Sequence, residues 1–140
     1  MINNRVEHHM RQVSRQSAIS IHCDTSLADV IKALDEYQLS GAPVVNQNNQ
    51  VIGFISEYDC LKAILKSSYH CDEPAIAKDV MSKAVVTVRP NDSVVDLAIA
   101  MLDKKPEIYP VTENSELVGL ITRQDVLHAL QQNQALCNRQ

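Results

Sequence analysis

The chain has 140 residues, 45% of them hydrophobic, and carries a formal net charge of −4. That length suits one ordinary domain, or two very small halves that share a core, because about 60 residues alone bury only roughly 60% of their unfolded surface. The acidic balance argues against a nucleic acid polymer as partner, since such binding rests on many Lys and Arg contacts, while a single Phe and no Trp leave a core of Val, Ile, Leu and Ala.

Residues 1–17 are expected to form a partly helical arm. They begin Met1-Ile2-Asn3-Asn4-Arg5, without the apolar region of a signal peptide, and no apolar stretch in the chain approaches the 18 residues that would span a membrane. A soluble, cytoplasmic protein is the expectation. A first repeat unit is expected over residues 18–66. Ile19-Ser20-Ile21 alternates apolar with hydroxyl and predicts a strand. Leu27, Val30, Ile31 and Leu34 follow at i, i+3, i+4, i+7 and predict a core-facing helix, with Asp24 to Ser26 supplying its N-cap. Pro43 and Val44 open a short apolar strand, Asn46-Gln47-Asn48-Asn49-Gln50 reads as a polar turn, and Val51 to Ile55 returns as the second arm of a hairpin. A second helix carries Leu61, Ile64 and Leu65.

Residues 67–84 join the units and end in a helical turn, Ala77-Lys78-Asp79-Val80-Met81, similar to Val6-Glu7-His8-His9-Met10; this lead-in helix is assigned to the second repeat. The second unit is expected over residues 85–132, with a strand at Val86-Thr87-Val88, a helix carrying Val94, Leu97, Ala98 and Met101, a hairpin turning at Glu113-Asn114-Ser115-Glu116, and a helix with Val126, Leu127 and Leu130. Residues 133–140 are expected to fray as a flexible tail.

The two units are copies. Ser26-Leu27-Ala28-Asp29, Pro43-Val44 and Gly53-Phe54-Ile55-Ser56-Glu57-Tyr58-Asp59 recur as Ser93-Val94-Val95-Asp96, Pro110-Val111 and Gly119-Leu120-Ile121-Thr122-Arg123-Gln124-Asp125. The offset is 67 from Pro43 to Pro110 and 66 from Gly53 to Gly119, so the one-residue difference falls in the hairpin loop. Each copy is therefore an α/β unit of strand, helix, strand, strand, helix.

In both copies a Gly, then Ser or Thr, then Asp ends the hairpin where a helix begins. Gly53 would let backbone or a ligand approach closely, Ser56 could donate a hydroxyl proton, and Asp59 one turn later could accept both hydroxyls of a ribose. The competing reading of Ser-x-x-Asp and Thr-x-x-Asp is a helix cap alone. The two readings can coexist.

The order of Asp79-Val80-Met81, Thr87-Val88-Arg89-Pro90, Ser93-x-x-Asp96, Pro110-Val111 and both Gly-to-Asp segments resembles the cystathionine-beta-synthase domain, the CBS domain, in tandem as a stand-alone Bateman module. The resemblance covers roughly residues 6 to 131. It implies two CBS units related by a pseudo-twofold axis, commonly paired into a homodimer, with clefts between the units that bind adenosine-containing ligands such as AMP, ADP, ATP or S-adenosylmethionine. By resemblance one cleft takes Ser20, Ala42, Pro43, Val44, Ser56 and Asp59, and the other takes Thr87, Tyr109, Pro110, Val111, Thr122 and Asp125, the Asp reaching ribose and the Ser or Thr reaching phosphate. The expected function is a regulatory ligand sensor, with no required cofactor and with a possible regulated protein as partner; the alternative is a protein-interaction or dimerisation module with vestigial clefts.

Relatives that hold phosphate firmly often carry Arg or His just before the Pro, where this chain has Ser40-Gly41-Ala42 and Glu107-Ile108-Tyr109. Glu107 would repel an anion, Arg123 beside Thr122 could offset it, and the two clefts are expected to be unequal. An enzyme is not expected. His22, Cys23, His70 and Cys71 are the only pairs suggestive of soft-metal ligands, but they do not occupy equivalent repeat positions, and adjacent residues of an extended chain point apart. His8, His9 and His128 have no Cys or second His one turn away, so no metal site is assigned.

Overall fold

The computed structural model describes residues 19–70, 75–103 and 106–137, with side chains not described at 67–70 and 133–137. The arm over residues 1–17 and Cys71 lie outside the described residues, as do residues 138–140 and the side chains of His70 and Cys137. The elements in order are β1 (Ile21–His22), α1 (Leu27–Glu36), β2 (Gly41–Val45), β3 (Val51–Ser56), α2 (Glu57–His70), α3 (Ala77–Val80), α4 (Val94–Asp103), β4 (Ile108–Glu113), β5 (Glu116–Thr122) and α5 (Arg123–Cys137). Strand, helix, strand, strand, helix thus appears in the first copy and, with a single bridge standing for its first strand, in the second.

By contacts the described chain divides into a first unit, residues 19–86 with 115–117, and a second unit that includes residues 87–114 and 118–137. In the first, β2 is central. It pairs parallel with β1 (Ile21 opposite Val44) and antiparallel with β3 (Gly41 opposite Ser56, Ala42 opposite Ile55). Helix α1 starts at Ser26, whose Oγ accepts from Asp29 N–H at 3.2 Å, and buries Val30 and Leu34. Its end is set by Gln38, whose positive φ of 53° turns the chain while Leu39 N–H donates back to Leu34 O.

Residues 75–82 are stitched to this same unit. Leu27 N–H donates to Ala75 O, Ala77 N–H to Thr25 O and Lys78 N–H to Cys23 O, and Phe54 exchanges both backbone hydrogen bonds with Ser82. The lead-in helix, which the repeat pattern assigns to the second copy, therefore packs on the first. Gly53 explains how closely: a Cβ there would stand 2.4 Å from Met81 Sδ and 2.8 Å from Ser82 O. Its missing side chain makes room for protein backbone.

The second unit repeats the plan. Val88 pairs parallel with Val111, the equivalents of Ile21 and Val44. Asn114 and Ser115 both have positive φ, 53° and 69°, so the hairpin closes through a two-residue turn of the type I′ class. Val88, Val94, Leu97, Tyr109, Val111, Ile121, Val126 and Ala129 form one buried cluster, with Ala98, Met101 and Leu130 packed against it. No helix among the described residues is long and apolar enough to cross a membrane.

Candidate functional site

Both strand-to-helix junctions bring the expected hydroxyl and acid together. At the start of α2, Asp59 N–H donates to Ser56 Oγ (3.1 Å), and Asp59 Oδ2 accepts from Ser56 N–H (3.0 Å) and from the Ser56 hydroxyl (2.9 Å). At the start of α5, Asp125 N–H donates to Thr122 Oγ1 (3.2 Å) and Thr122 N–H donates to Asp125 Oδ2 (2.9 Å). Each is a capping box closed by Asp. A carboxylate has two oxygens and about four acceptor sites, and the box at Ser56 falls on one oxygen of Asp59, leaving Oδ1 outside it.

A second bond ties each helix start to the segment before the proline. Glu57 N–H donates to Ser40 O and Arg123 N–H donates to Glu107 O, both at 2.8 Å. The side chains beyond are core: Ala42 and Val44 in the first unit and Tyr109 and Val111 in the second are at most 1% exposed, and Pro43 and Pro110 are fully buried. A ligand lying over these strands would meet backbone there. Ser20, just before β1, is half-buried, and Thr87 is exposed.

The copies differ in two ways. Tyr109 stands where the first unit has Ala42, and its hydroxyl is buried without a hydrogen-bond partner among the described residues; burial also pushes its pKa up. Arg123 Nη2 donates to Glu107 Oε1 at 3.1 Å, with both side chains at least half exposed. Arg123 therefore offsets Glu107 by pairing with it directly, an exposed bond of about 0–1 kcal/mol.

Cys60, beside Asp59 on α2, is 3% exposed, and its thiol is pushed up by burial and then by the carboxylates of Asp59 and Glu57. Such a thiol is a poor nucleophile. The alternation argument missed one feature: the turn after β1 gathers His22, Cys23 and Asp24, so that one donor atom from each lies within 4.8 Å of the others. His22 Nδ1 there accepts from Asp24 N–H (3.2 Å) and the turn faces solvent, with side-chain exposures of 44% for His22 and 64% for Asp24. Whether His70 and Cys71 lie near it falls outside the described residues.

A model of the CBS domain family matches residues 10–66 and 77–132. The chain belongs to the CBS domain family. CBSX2 of Arabidopsis thaliana in complex with AMP is similar at a TM-score of 0.76 and 26% identity, over 89% of this chain and 97% of that one. The CBS domain pair of protein MJ0100, in complex with 5′-methylthioadenosine and S-adenosyl-L-methionine, has the same fold at a TM-score of 0.76 and 20% identity, over 90% of this chain and 98% of that one. Among curated relatives, the uncharacterized protein MJ1225 of Methanocaldococcus jannaschii is 27% identical over 86% of this chain. The chain spans 42% of that relative's length. The family match begins a unit at residue 77, whereas contacts group residues 77–86 with the first body; sequence repeat and packing unit are offset by one short helix.

Proposed function

We propose that this CBS pair is a regulatory module, not a catalyst, that senses adenine nucleotides or related adenosyl compounds. One observation carries the reading: the same hydroxyl-and-acid box opens a helix at matching positions of both CBS units. Ser56 with Asp59 and Thr122 with Asp125 would hold the ribose end of the ligand. Ser20 and the backbone of Ala42, Pro43 and Val44 would face its base in one unit, as would Thr87, Tyr109, Pro110 and Val111 in the other. Arg123 enters only by letting go of Glu107. AMP in CBSX2, and methylthioadenosine and S-adenosylmethionine in MJ0100, are the ligands of proteins with this fold and support the class.

Titration calorimetry with AMP, ADP, ATP and S-adenosylmethionine tests it, with an Asp59→Ala, Asp125→Ala double variant as control. Saturable binding that weakens about 10-fold or more in the variant fits loss of hydrogen bonds donated by ribose hydroxyls to a charged acceptor. Heat absent with all four compounds would refute the reading.

A second reading, a dimerisation module, is favoured by an apolar row that each unit leaves exposed. On α2, Tyr58, Leu61 and Leu65 are 62%, 57% and 59% exposed; on α4, Val95, Ile99 and Leu102 are 49%, 58% and 85% exposed. Both rows follow helical spacing. A second copy of this chain is the proposed cover, and a homodimer is compatible with ligand sensing.

A further inference from the structure

We infer that these sites select adenosyl ligands with a neutral or cationic 5′ group, a thioether or a sulfonium, over 5′-phosphates. The inference rests on the ligand-sensing reading above and narrows its ligand class.

A helix start holds phosphate through backbone N–H groups that have no partner of their own. Here most are taken. Of the four N–H groups from Ser56 to Asp59, Ser56 donates to Asp59 Oδ2, Glu57 to Ser40 O and Asp59 to Ser56 Oγ. From Thr122 to Asp125 the same three are engaged, with Asp125 Oδ2, Glu107 O and Thr122 Oγ1. The hydroxyl of Ser56 has one proton, and it points at Asp59 Oδ2, 2.9 Å away. A phosphate at the first unit would have to break one of these bonds to gain any of these donors beyond the Tyr58 N–H.

Charge points the same way. The first turn of α2 holds Glu57 and Asp59, and none of Ser20, Ala42, Pro43, Val44, Ser56 or Asp59 is cationic. Across both units the one cation among the assigned residues is Arg123, and Glu107 holds it at 3.1 Å. A 5′-phosphate would add negative charge beside these carboxylates, whereas a sulfonium would be attracted and a thioether would be indifferent. Oδ1 of Asp59 still offers an acceptor to ribose hydroxyls, which every adenosyl compound supplies.

Titration calorimetry of the intact protein at fixed ionic strength, with adenosine, methylthioadenosine, S-adenosylmethionine, AMP and ATP, decides it. The expected result is that methylthioadenosine and S-adenosylmethionine bind at least about 10-fold more tightly than AMP or ATP. AMP or ATP binding as tightly as methylthioadenosine overturns this inference and leaves adenosyl sensing intact. Absence of binding by all five overturns both. A Glu107→Gln variant supplies an internal control: once released, Arg123 should improve AMP relative to methylthioadenosine by several-fold, and an unchanged ratio would count against the charge argument.

Discussion

Asp59 closes a helix cap and, on the proposed reading, binds ribose with the same carboxylate; substitution can separate the two. Asp59→Ala removes the cap acceptor and should cost about 1 kcal/mol of stability, or roughly 3–5 °C in Tm at this chain length. Asp59→Asn keeps a cap acceptor while discarding the charge, so its thermal unfolding should stay within about 0.5 kcal/mol of wild type while adenosyl affinity falls about 10-fold. Equal affinity in Asp59→Asn and wild type would reduce Asp59 to a cap. Tyr109 gives a different signature. Its buried hydroxyl has no partner among the described residues, and leaving such a group unsatisfied costs about 1–3 kcal/mol. Tyr109→Phe should therefore match or exceed wild-type stability at neutral pH. Because burial raises the folded pKa above the ordinary 10.0, the stability linked to Tyr109 is present below about pH 10 and is lost above it, as the unfolded chain ionises first. Denaturant unfolding from pH 8 to 11 should show a shallower alkaline decline in Tyr109→Phe than in wild type.

At the scale of the element, much was legible because the sequence is its own comparison. The offset of 67 makes Val88 the counterpart of Ile21 and Val111 that of Val44, and the parallel bridges fall on those residues. Ser-x-x-Asp and Thr-x-x-Asp announced helix starts, and the capping boxes are there. What periodicity could not reveal is which neighbour covers an apolar face. Leu61 and Leu65 read as ordinary helix positions, yet the side of α2 that is buried includes Cys60, and the leucines face outward. Likewise the motif alone leaves open whether Gly53 makes room for ligand or chain, because Met81 and Ser82 lie 28 and 29 residues downstream. Gly53→Ala should thus destabilise by about 1–3 kcal/mol: the Met81 sulfur can swing away, but the Ser82 carbonyl is held by its bond from Phe54 N–H. The hairpin turn allows the opposite change. Ser115, at φ 69°, sits where a type I′ turn favours Gly, so Ser115→Gly should stabilise the fold by up to about 1 kcal/mol of relieved strain, seen as a small rise in Tm. The Arg123–Glu107 pair was half legible; the sequence put both charges near the helix start, and only coordinates could show that they neutralise each other.

For the whole molecule, duplication is the organising fact. Two copies of one plan, the second with a buried cluster of its own, each present one helix start with a closed cap and one exposed apolar helix row. If a second copy covers those rows, Leu61→Glu combined with Leu65→Glu should shift the protein from dimer to monomer in sedimentation experiments without loss of helical signal. A wild type that sediments as a monomer at high concentration would remove the dimer reading. Bound ligand should stabilise the fold by about 2.7 kcal/mol at 100 times Kd. The most direct test of adenosyl sensing is an amide-resolved NMR titration of the full chain with S-adenosylmethionine. Saturable shifts at the amides of Ser56, Glu57 and Asp59, or of Thr122, Arg123 and Asp125, are the expected result; saturable shifts confined to other residues, or none, would contradict it.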